Sequence, residues 1–199
     1  MTPLGPLVIT TASTEEPVAR NEAKLWLRIE EEEVGEDGLI DDLILMAWKR
    51  YEEYTGRALL EQSYDYYLPD FPAGAIELPR WPLVSIDEVR GLTDTDVTDT
   101  GGTSMSSSEY YVDTAREPGR VVPFSEYSWP TATRITNAAI VSFTAGETTE
   151  TTGVPEHAQV TLKAMIAHAY EHRGDQTVTE LAPLMDEILR NELTIQDWG

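Results

Sequence analysis

The spacing of apolar residues changes twice along this chain of 199 residues, and this change limits the folds open to it. Between Leu39 and Tyr54, apolar residues recur every three or four positions, which is typical of one buried helix face. From Arg57 to about Thr144 they alternate with polar residues or stand between Pro and Gly, which is typical of short strands. Helical spacing returns after Pro155. The pattern therefore predicts helices near both ends and strands between them.

We expect an α+β fold that is mainly a helical bundle of about four helices, with an inserted small β subdomain. The helices are predicted at about 17–29, 39–54, 155–173 and 183–192. Ala23, Trp26 and Leu27 would form the apolar stripe of the first helix. Five parts are predicted along the chain: a flexible N-terminal arm at 1–16, N-terminal bundle helices at 17–56, the β subdomain with its long loops at 57–153, C-terminal bundle helices at 154–192, and a C-terminal tail at 193–199.

The charge restricts the partners of this chain. Fourteen Lys and Arg against thirty-six Asp and Glu give a formal net charge of −22. Such a surface repels phosphate backbones and anionic membranes, so we expect neither nucleic-acid binding nor membrane binding. No apolar run is long enough to span a bilayer, and no secretory signal is expected. The acidity has two interpretations: it keeps the protein soluble, or it lets DNA pass without sticking.

The search for catalytic and metal-binding motifs predicts neither a catalytic site nor a cofactor. The chain has no cysteine, no phosphate-binding loop and no Gly-x-Ser-x-Gly elbow. His168 and His172 are one helical turn apart and could share an ion, but they lack the His-Glu-x-x-His arrangement. Asp94, Asp96 and Asp99 do not match the spacing of an EF-hand calcium loop. We interpret the histidines as surface or interface residues and the aspartates as part of a solvated loop.

Several apolar residues are left over once one core face has been assigned to each helix. Leu45 and Trp48 lie off the main stripe of the second helix, and Val160, Ala164 and Ala167 form a second face on the third. A helix that is apolar on two sides usually has two contact surfaces. These five residues are predicted to contact neighbouring subunits.

A series of short motifs, in a definite order, carries a family resemblance across residues 17–192. The motifs are Asn21 to Arg28, Tyr51 to Leu60, Phe71-Pro72, Ile76 to Leu83, Tyr110 to Asp113, Glu117 to Arg120, Trp129-Pro130, Phe143 to Gly146 and Val154-Pro155. In this order the chain resembles the head–tail connector (adaptor) proteins of long-tailed bacteriophages and gene transfer agents. The loops at 93–108 and 147–153 and the arm at 1–16 depart from the family pattern.

The resemblance implies a structural protein and not an enzyme. It implies a homo-oligomeric ring, typically of twelve subunits, in the neck of a virion assembled in the host bacterial cytoplasm. The portal protein would lie on one side of the ring and a stopper or tail-completion protein on the other. DNA would pass through the centre without sequence-specific binding. Glu30, Glu31, Glu32, Glu33, Asp41 and Asp42 are the predicted channel-facing acids.

The C-terminal tail is the predicted portal-docking segment. Leu193, Ile195 and Trp198 alternate with polar residues after the last predicted helix. Seven residues cannot bury a Trp in a core of their own, and Trp is favoured as an interface anchor. Folding of Trp198 back onto its own bundle remains an alternative. For the whole chain, the alternatives are another virion structural protein of the tail or the capsid surface, or a metal-dependent hydrolase that uses His168 and His172.

Overall fold

The structure is a computed structural model and describes residues 5–173. These residues form two compact units, which we name by their content. The helical unit consists of Thr14–Leu60 together with residues 148–173. The sheet unit consists of residues 5–13 together with Glu61–Glu147. The chain therefore starts in the sheet unit, crosses to the helical unit, and then visits each unit once more.

Three α-helices make up most of the described part of the helical unit. Helix α1 is Arg20–Leu27, α2 is Asp37–Thr55 and α3 is Glu156–Glu171, with a short 3-10 helix at Thr151–Gly153 before α3. Their inner faces share one apolar core, to which α2 gives Ile40, Ile44, Ala47 and Tyr51 and α3 gives Ala158, Leu162, Met165 and Ile166. All eight are almost fully buried. Their spacing of three or four residues places them on one side of each helix.

The end of α2 is fixed by the residues that follow its last turn. Gly56 adopts a φ of 73°, in the left-handed region where a side chain would add strain, and its N–H donates to the Glu52 carbonyl at 2.9 Å. The Thr55 hydroxyl donates to the Tyr51 carbonyl at 2.8 Å. The backbone N–H of Arg57 donates to the Thr55 hydroxyl oxygen at 3.1 Å. The chain therefore leaves the helix along a defined path.

The sheet unit contains two antiparallel sheets. In the larger sheet the strand order is β1-β2-β8-β4-β5, and in the smaller it is β3-β7-β6. The strands are β1 Leu7–Thr11, β2 Gln62–Leu68, β3 Ile76–Glu77, β4 Leu83–Gly91, β5 Thr103–Ser104, β6 Tyr110–Asp113, β7 Arg120–Pro123 and β8 Ala139–Ala145. The last of these in sequence, β8, is the central strand of the larger sheet and pairs with both β2 and β4.

Alternating burial explains why β2 is a strand. Tyr64, Tyr66 and Leu68 are buried while the residues between them are partly exposed, as expected for a strand with one face on a core. The ring of Tyr64 stacks on Phe143 of the neighbouring β8 with ring centroids 5.3 Å apart. Phe71 and Trp129 form a second stacked pair at 5.2 Å. Aromatic contacts therefore support the core of this unit.

The prediction of a mainly helical, four-helix bundle is wrong. Residues 5–173 contain three α-helices and eight strands in two antiparallel sheets, so the fold is mixed α+β with substantial sheet. The fourth predicted helix, at 183–192, lies outside the described residues. Strand content was underestimated because the segment 57–153 was treated as a small insertion, although seven of the eight strands lie within it.

The N-terminal segment also differs from its interpretation as a flexible arm. Leu7–Thr11 form the edge strand β1, which pairs antiparallel with β2. The Pro6 carbonyl accepts the Tyr67 N–H at 3.0 Å. Val8 and Ile9 are adjacent in sequence and both about half exposed, so β1 has no alternation of burial. The strand is held by pairing to a distant segment, which leaves no periodic signal in the local sequence.

Candidate assembly surfaces

The loop between α1 and α2 carries four of the six predicted channel-facing acids, and Lys24 fixes its path. Lys24 lies on the inner side of α1 and is only 2% exposed. Its ammonium donates to the carbonyl oxygens of Glu31, at 3.1 Å, and Glu33, at 2.7 Å. It also lies 2.5 Å from Asp37 Oδ1 at the start of α2. A buried ammonium needs such partners, so the loop backbone turns its carbonyl groups inward to Lys24.

The side chains of Glu30, Glu31, Glu32 and Glu33 are all exposed. Glu31 accepts a hydrogen bond from Asn21 at 2.7 Å, and Glu33 accepts one from the Gly35 N–H at 3.0 Å. Within residues 5–173 no Lys or Arg forms an ion pair with any of the four. The loop is therefore a compact, uncompensated acidic surface.

The two other predicted channel-facing acids, Asp41 and Asp42, are on α2 and differ in environment. Arg20 holds Asp41 through its Nε and Nη2 atoms, each 2.5 Å from a carboxylate oxygen. This hydrogen bonding raises the pKa of Arg20. Burial raises the pKa of Glu16, and the neighbouring Asp41 carboxylate raises it further. Asp42 is exposed. The charge of Asp41 is thus paired with Arg20 within the helical unit, whereas the other predicted acids face solvent.

Glu36 links the end of α3 to the beginning of α2. The Tyr170 hydroxyl donates to Glu36, and Arg173 Nη1 lies 2.8 Å from its other carboxylate oxygen. The Arg173 guanidinium also covers the Tyr170 ring at 4.3 Å from the centroid. The hydrogen bond from Tyr170 is the largest cause that lowers the pKa of Glu36, and the charge of Arg173 adds to it. Glu36 therefore belongs to the fold, although it follows directly on the exposed acidic loop.

The five predicted subunit-contact residues have unequal exposure. Leu45 on α2 and Val160 on α3 are 43% and 46% exposed, so both present apolar surface to solvent. Trp48 is half-buried against the core. Its indole N–H donates to Glu52 at 2.6 Å, and the same carboxylate oxygen accepts the Leu59 N–H at 3.0 Å. Ala164 and Ala167 are half-buried. Trp48 thus has a role within the fold, while Leu45 and Val160 remain available for contacts.

On the three described α-helices, sequence reasoning missed three exposed large apolar residues. Leu25 is 78% exposed and Trp26 is 48% exposed, on the outer side of α1. Met46, beside Leu45 on α2, is also exposed. The expected core stripe of the first helix included Trp26, but the residues that α1 buries are Ala23 and Lys24. The run Leu25-Trp26-Leu27 could have been noticed, because three consecutive residues span about 200° around a helix and cannot all face one core.

The histidines and aspartates considered as metal ligands form no metal site in the described part of the chain. The rings of His168 and His172 lie 4.3 Å apart. Among residues 5–173 there is no cluster of three or more His, Cys, Asp or Glu suited to a metal ion. Asp96 accepts hydrogen bonds from the N–H and hydroxyl of Thr93, which lower its pKa, and Asp99 pairs with Arg134 at 2.8 Å. These carboxylates stabilise their own loop.

Two further expectations concern the chain ends and membranes. The predicted portal-docking residues Leu193, Ile195 and Trp198 lie outside the described residues. Within the described residues, no helix combines the length and apolar character needed to cross a membrane.

The comparisons with known proteins show a similarity in fold. No protein-family model matches the chain, and no curated protein matches it in sequence. Among solved structures, a chain in the neck of an empty gene transfer agent particle, computed with C6 symmetry, matches with a TM-score of 0.73 and 20% identity over 88% of both chains. A chain from the virion of a native gene transfer agent particle matches with a TM-score of 0.74 and 18% identity, over 88% of this chain and 89% of the other.

A third match comes from the neck of a native gene transfer agent particle computed with C12 symmetry. Its TM-score is 0.67 at 20% identity, with 88% of each chain covered. The likeness spans most of both chains in all three cases, so it includes the helices as well as the sheets. This protein therefore has the fold of chains found in the virion and the neck of gene transfer agent particles.

Proposed function

We propose that this protein is a structural subunit of the neck of a tailed-phage or phage-like particle. In this proposal it forms an adaptor ring beneath the portal, joins head to tail and leaves a channel for DNA. The observation that carries the proposal is the fold shared with neck chains over 88% of each chain. The ordered motifs between Asn21 and Val154-Pro155 favour the same kind of particle independently.

The number of subunits in the proposed ring is twelve. Chains of the same fold occur in a neck computed with C12 symmetry and in one computed with C6 symmetry, and a ring of twelve is compatible with both. Twelve copies with −22 each would carry a formal charge of −264. A wall of the same sign as DNA cannot bind phosphates tightly, so DNA could slide through the ring. The exposed Glu30–Glu33 loop is the proposed lining, together with Asp42; Asp41, which pairs with Arg20, contributes less.

The proposed partners are the portal on one side and a stopper or tail-completion protein on the other. The C-terminal residues Leu193, Ile195 and Trp198 are the proposed contact to the portal. The proposal requires no catalytic residue and no cofactor. Its rival is a structural protein of the tail or capsid surface, which would share the virion location but not the position beneath the portal.

The proposal is tested by locating the protein in the particle. A producing strain would carry the chain with an N-terminal tag, and purified particles would be imaged by electron cryo-microscopy with and without an antibody to the tag. We expect the antibody at the neck and twelve copies of this fold directly beneath the portal. Antibody on the tail or capsid surface would instead support the rival, and particles without the chain would refute both.

A further inference from the structure

A concave groove lies alongside α1, next to the acidic loop. Its volume is about 580 Å³. Leu25 and Ile29 supply its apolar wall, Glu30 and Glu31 stand on the loop side, and Arg28 and Lys24 also line it. Leu25 is 78% exposed, although it is on a helix that buries Ala23 and Lys24. Lys24 is buried on the loop carbonyls and Glu22 pairs with Lys163. The lining charges that remain are Glu30 and Glu31 against Arg28, which leaves the groove with a net charge of −1. An apolar wall with a net negative charge suits a partner that offers an apolar side chain next to a cation.

The same unit carries a convex surface of that chemistry on the outer side of α2. Leu45 and Met46 are exposed there, and the exposed Lys49 lies one turn further along the helix. Lys49 forms no ion pair with any described residue. Asp42 and Glu53 stand at the two ends of this face, so the cation and the apolar residues occupy its middle. A lysine can bury its aliphatic stem and leave its ammonium beside a carboxylate.

We propose that the α1 groove of one copy receives the α2 face of the next copy. Leu45 and Met46 would cover Leu25, and Lys49 would approach Glu30 and Glu31. Glu32 and Glu33 are then the part of the acidic loop that lines the proposed channel. The two surfaces are different patches of one chain, so the contact is heterologous, and its repetition generates a ring where the rotation closes. This inference rests on the ring proposed above and identifies the surfaces that join its subunits. The proposed contact includes Met46 and not the predicted Trp48, because the indole N–H of Trp48 already donates to Glu52 within the subunit.

The absence of cysteine from the chain permits a direct test. A double variant, Leu25→Cys with Met46→Cys, would be treated with a short bis-maleimide, both at high concentration in solution and in assembled particles. We expect a ladder of covalent oligomers that ends at the ring size. Each single variant should stay monomeric, because a heterologous contact never brings two copies of one position together. All positions are exposed, so the variants should keep the melting temperature of the parent.

A second pair serves as the matched control. Leu25→Cys with Val160→Cys combines the groove with an equally exposed apolar residue on α3, and we expect no ladder from it. A ladder from this control pair without one from the first would assign the groove to the α3 face and overturn the proposal. Covalent dimers from a single variant would indicate a two-fold contact and also overturn it.

A charge exchange gives an independent readout. Lys49→Glu should reduce ladder formation by the double-cysteine protein several-fold, and Glu30→Lys with Glu31→Lys in the same chain should restore it. If imaging finds the ring in the neck but the first cysteine pair gives no ladder, this contact is wrong and the ring stands. If the chain is absent from the neck while the ladder forms, the proposed function fails and the contact stands.

Discussion

The Nζ atom of Lys24 lies 2.5 Å from Asp37 Oδ1, so one buried lysine links α1 to the first residue of α2. The same ammonium donates to two carbonyl oxygens of the loop between these helices. The most acidic segment of the chain is therefore shaped by a single cation beneath it. Four adjacent glutamates would otherwise favour an extended, mobile loop, because like charges repel.

Lys24→Met should destabilise the helical unit and loosen this loop. Methionine retains the apolar stem but cannot donate to the carbonyls of Glu31 and Glu33, and we expect a loss of about 1–3 kcal/mol in the free energy of unfolding. Urea unfolding measures the loss, and hydrogen exchange should become faster at residues 30–36. Lys49→Met, at an exposed lysine, should change stability by less than about 0.5 kcal/mol. Equal effects of the two variants would contradict the role assigned to Lys24.

Leu162→Ala tests the packing of α3 against α2. Leu162 is 1% exposed in the apolar core, and its truncation should cost about 2–5 kcal/mol because a cavity remains. Leu25→Ala is the matched control, since it removes the same atoms from an exposed position of α1. Thermal and urea unfolding would compare the two. A loss from Leu25→Ala as large as that from Leu162→Ala would place Leu25 in the monomer core and refute the groove.

Stability should fall in acid partly through Glu36. The Tyr170 hydroxyl and then Arg173 lower the pKa of Glu36 from its ordinary value of 4.5. The ionised carboxylate is thus favoured in the folded state, so its contribution is complete above pH 4.5 and declines as the pH falls through the lowered value. Glu36→Gln should flatten the dependence of unfolding free energy on pH in this acid range. Glu32→Gln, which also removes one negative charge, should leave the slope closer to that of the parent.

The parent protein should not bind duplex DNA at physiological salt. Changing Glu30–Glu33 to lysine would place four adjacent cations on the loop, and we expect measurable, strongly salt-dependent binding by fluorescence anisotropy. The control reverses four dispersed exposed acids: Glu53, Asp70, Asp94 and Glu126. The control should bind more weakly, because dispersed cations contact fewer phosphates together. Tight binding by the parent protein would contradict the proposed channel lining.

Deletion of residues 193–199 tests the proposed portal contact. If Leu193, Ile195 and Trp198 dock on the portal, the shortened protein should keep its melting temperature and fail to attach to portal-bearing heads. Trp198→Ala in the full chain should weaken attachment in the same direction, since aromatic anchors carry much of the binding energy. A lowered melting temperature with normal attachment would show that the tail packs on its own subunit.

Local patterns in the sequence were sufficient to find the longest elements of the fold. The stripe from Leu39 to Tyr54 lies within α2, and the alternation at Tyr64, Tyr66 and Leu68 lies within β2. Strand β1 and the pairing of β8 with two distant strands depend on long-range partners, which no local period records. Strand β1 was missed for this reason.

On the candidate surfaces, too, some features were visible in the sequence and others depend on the fold. Runs of one residue type, such as Glu30–Glu33, are visible in sequence, and the structure finds all four exposed. The environment of Asp41 was not visible, because Arg20 reaches it from another helix, 21 residues away in sequence. The exposure of Leu25 was missed because Lys24 takes the buried position next to it. A buried lysine contradicts the usual preference of that residue, so composition could not have indicated it.

The position of β8 at the centre of the larger sheet has a consequence for how the chain folds as it is made. Strands β2 and β4 leave the ribosome before β8 and do not pair with each other. Each can pair with β8 only after residues 139–145 have been made. At about 5–20 residues per second, the interval between Leu68 and Ala145 lasts several seconds. During that time β2 and β4 each have an unpaired edge where β8 will bind. A nascent subunit would therefore be most exposed to misassociation just before its sheet is closed by its last strand.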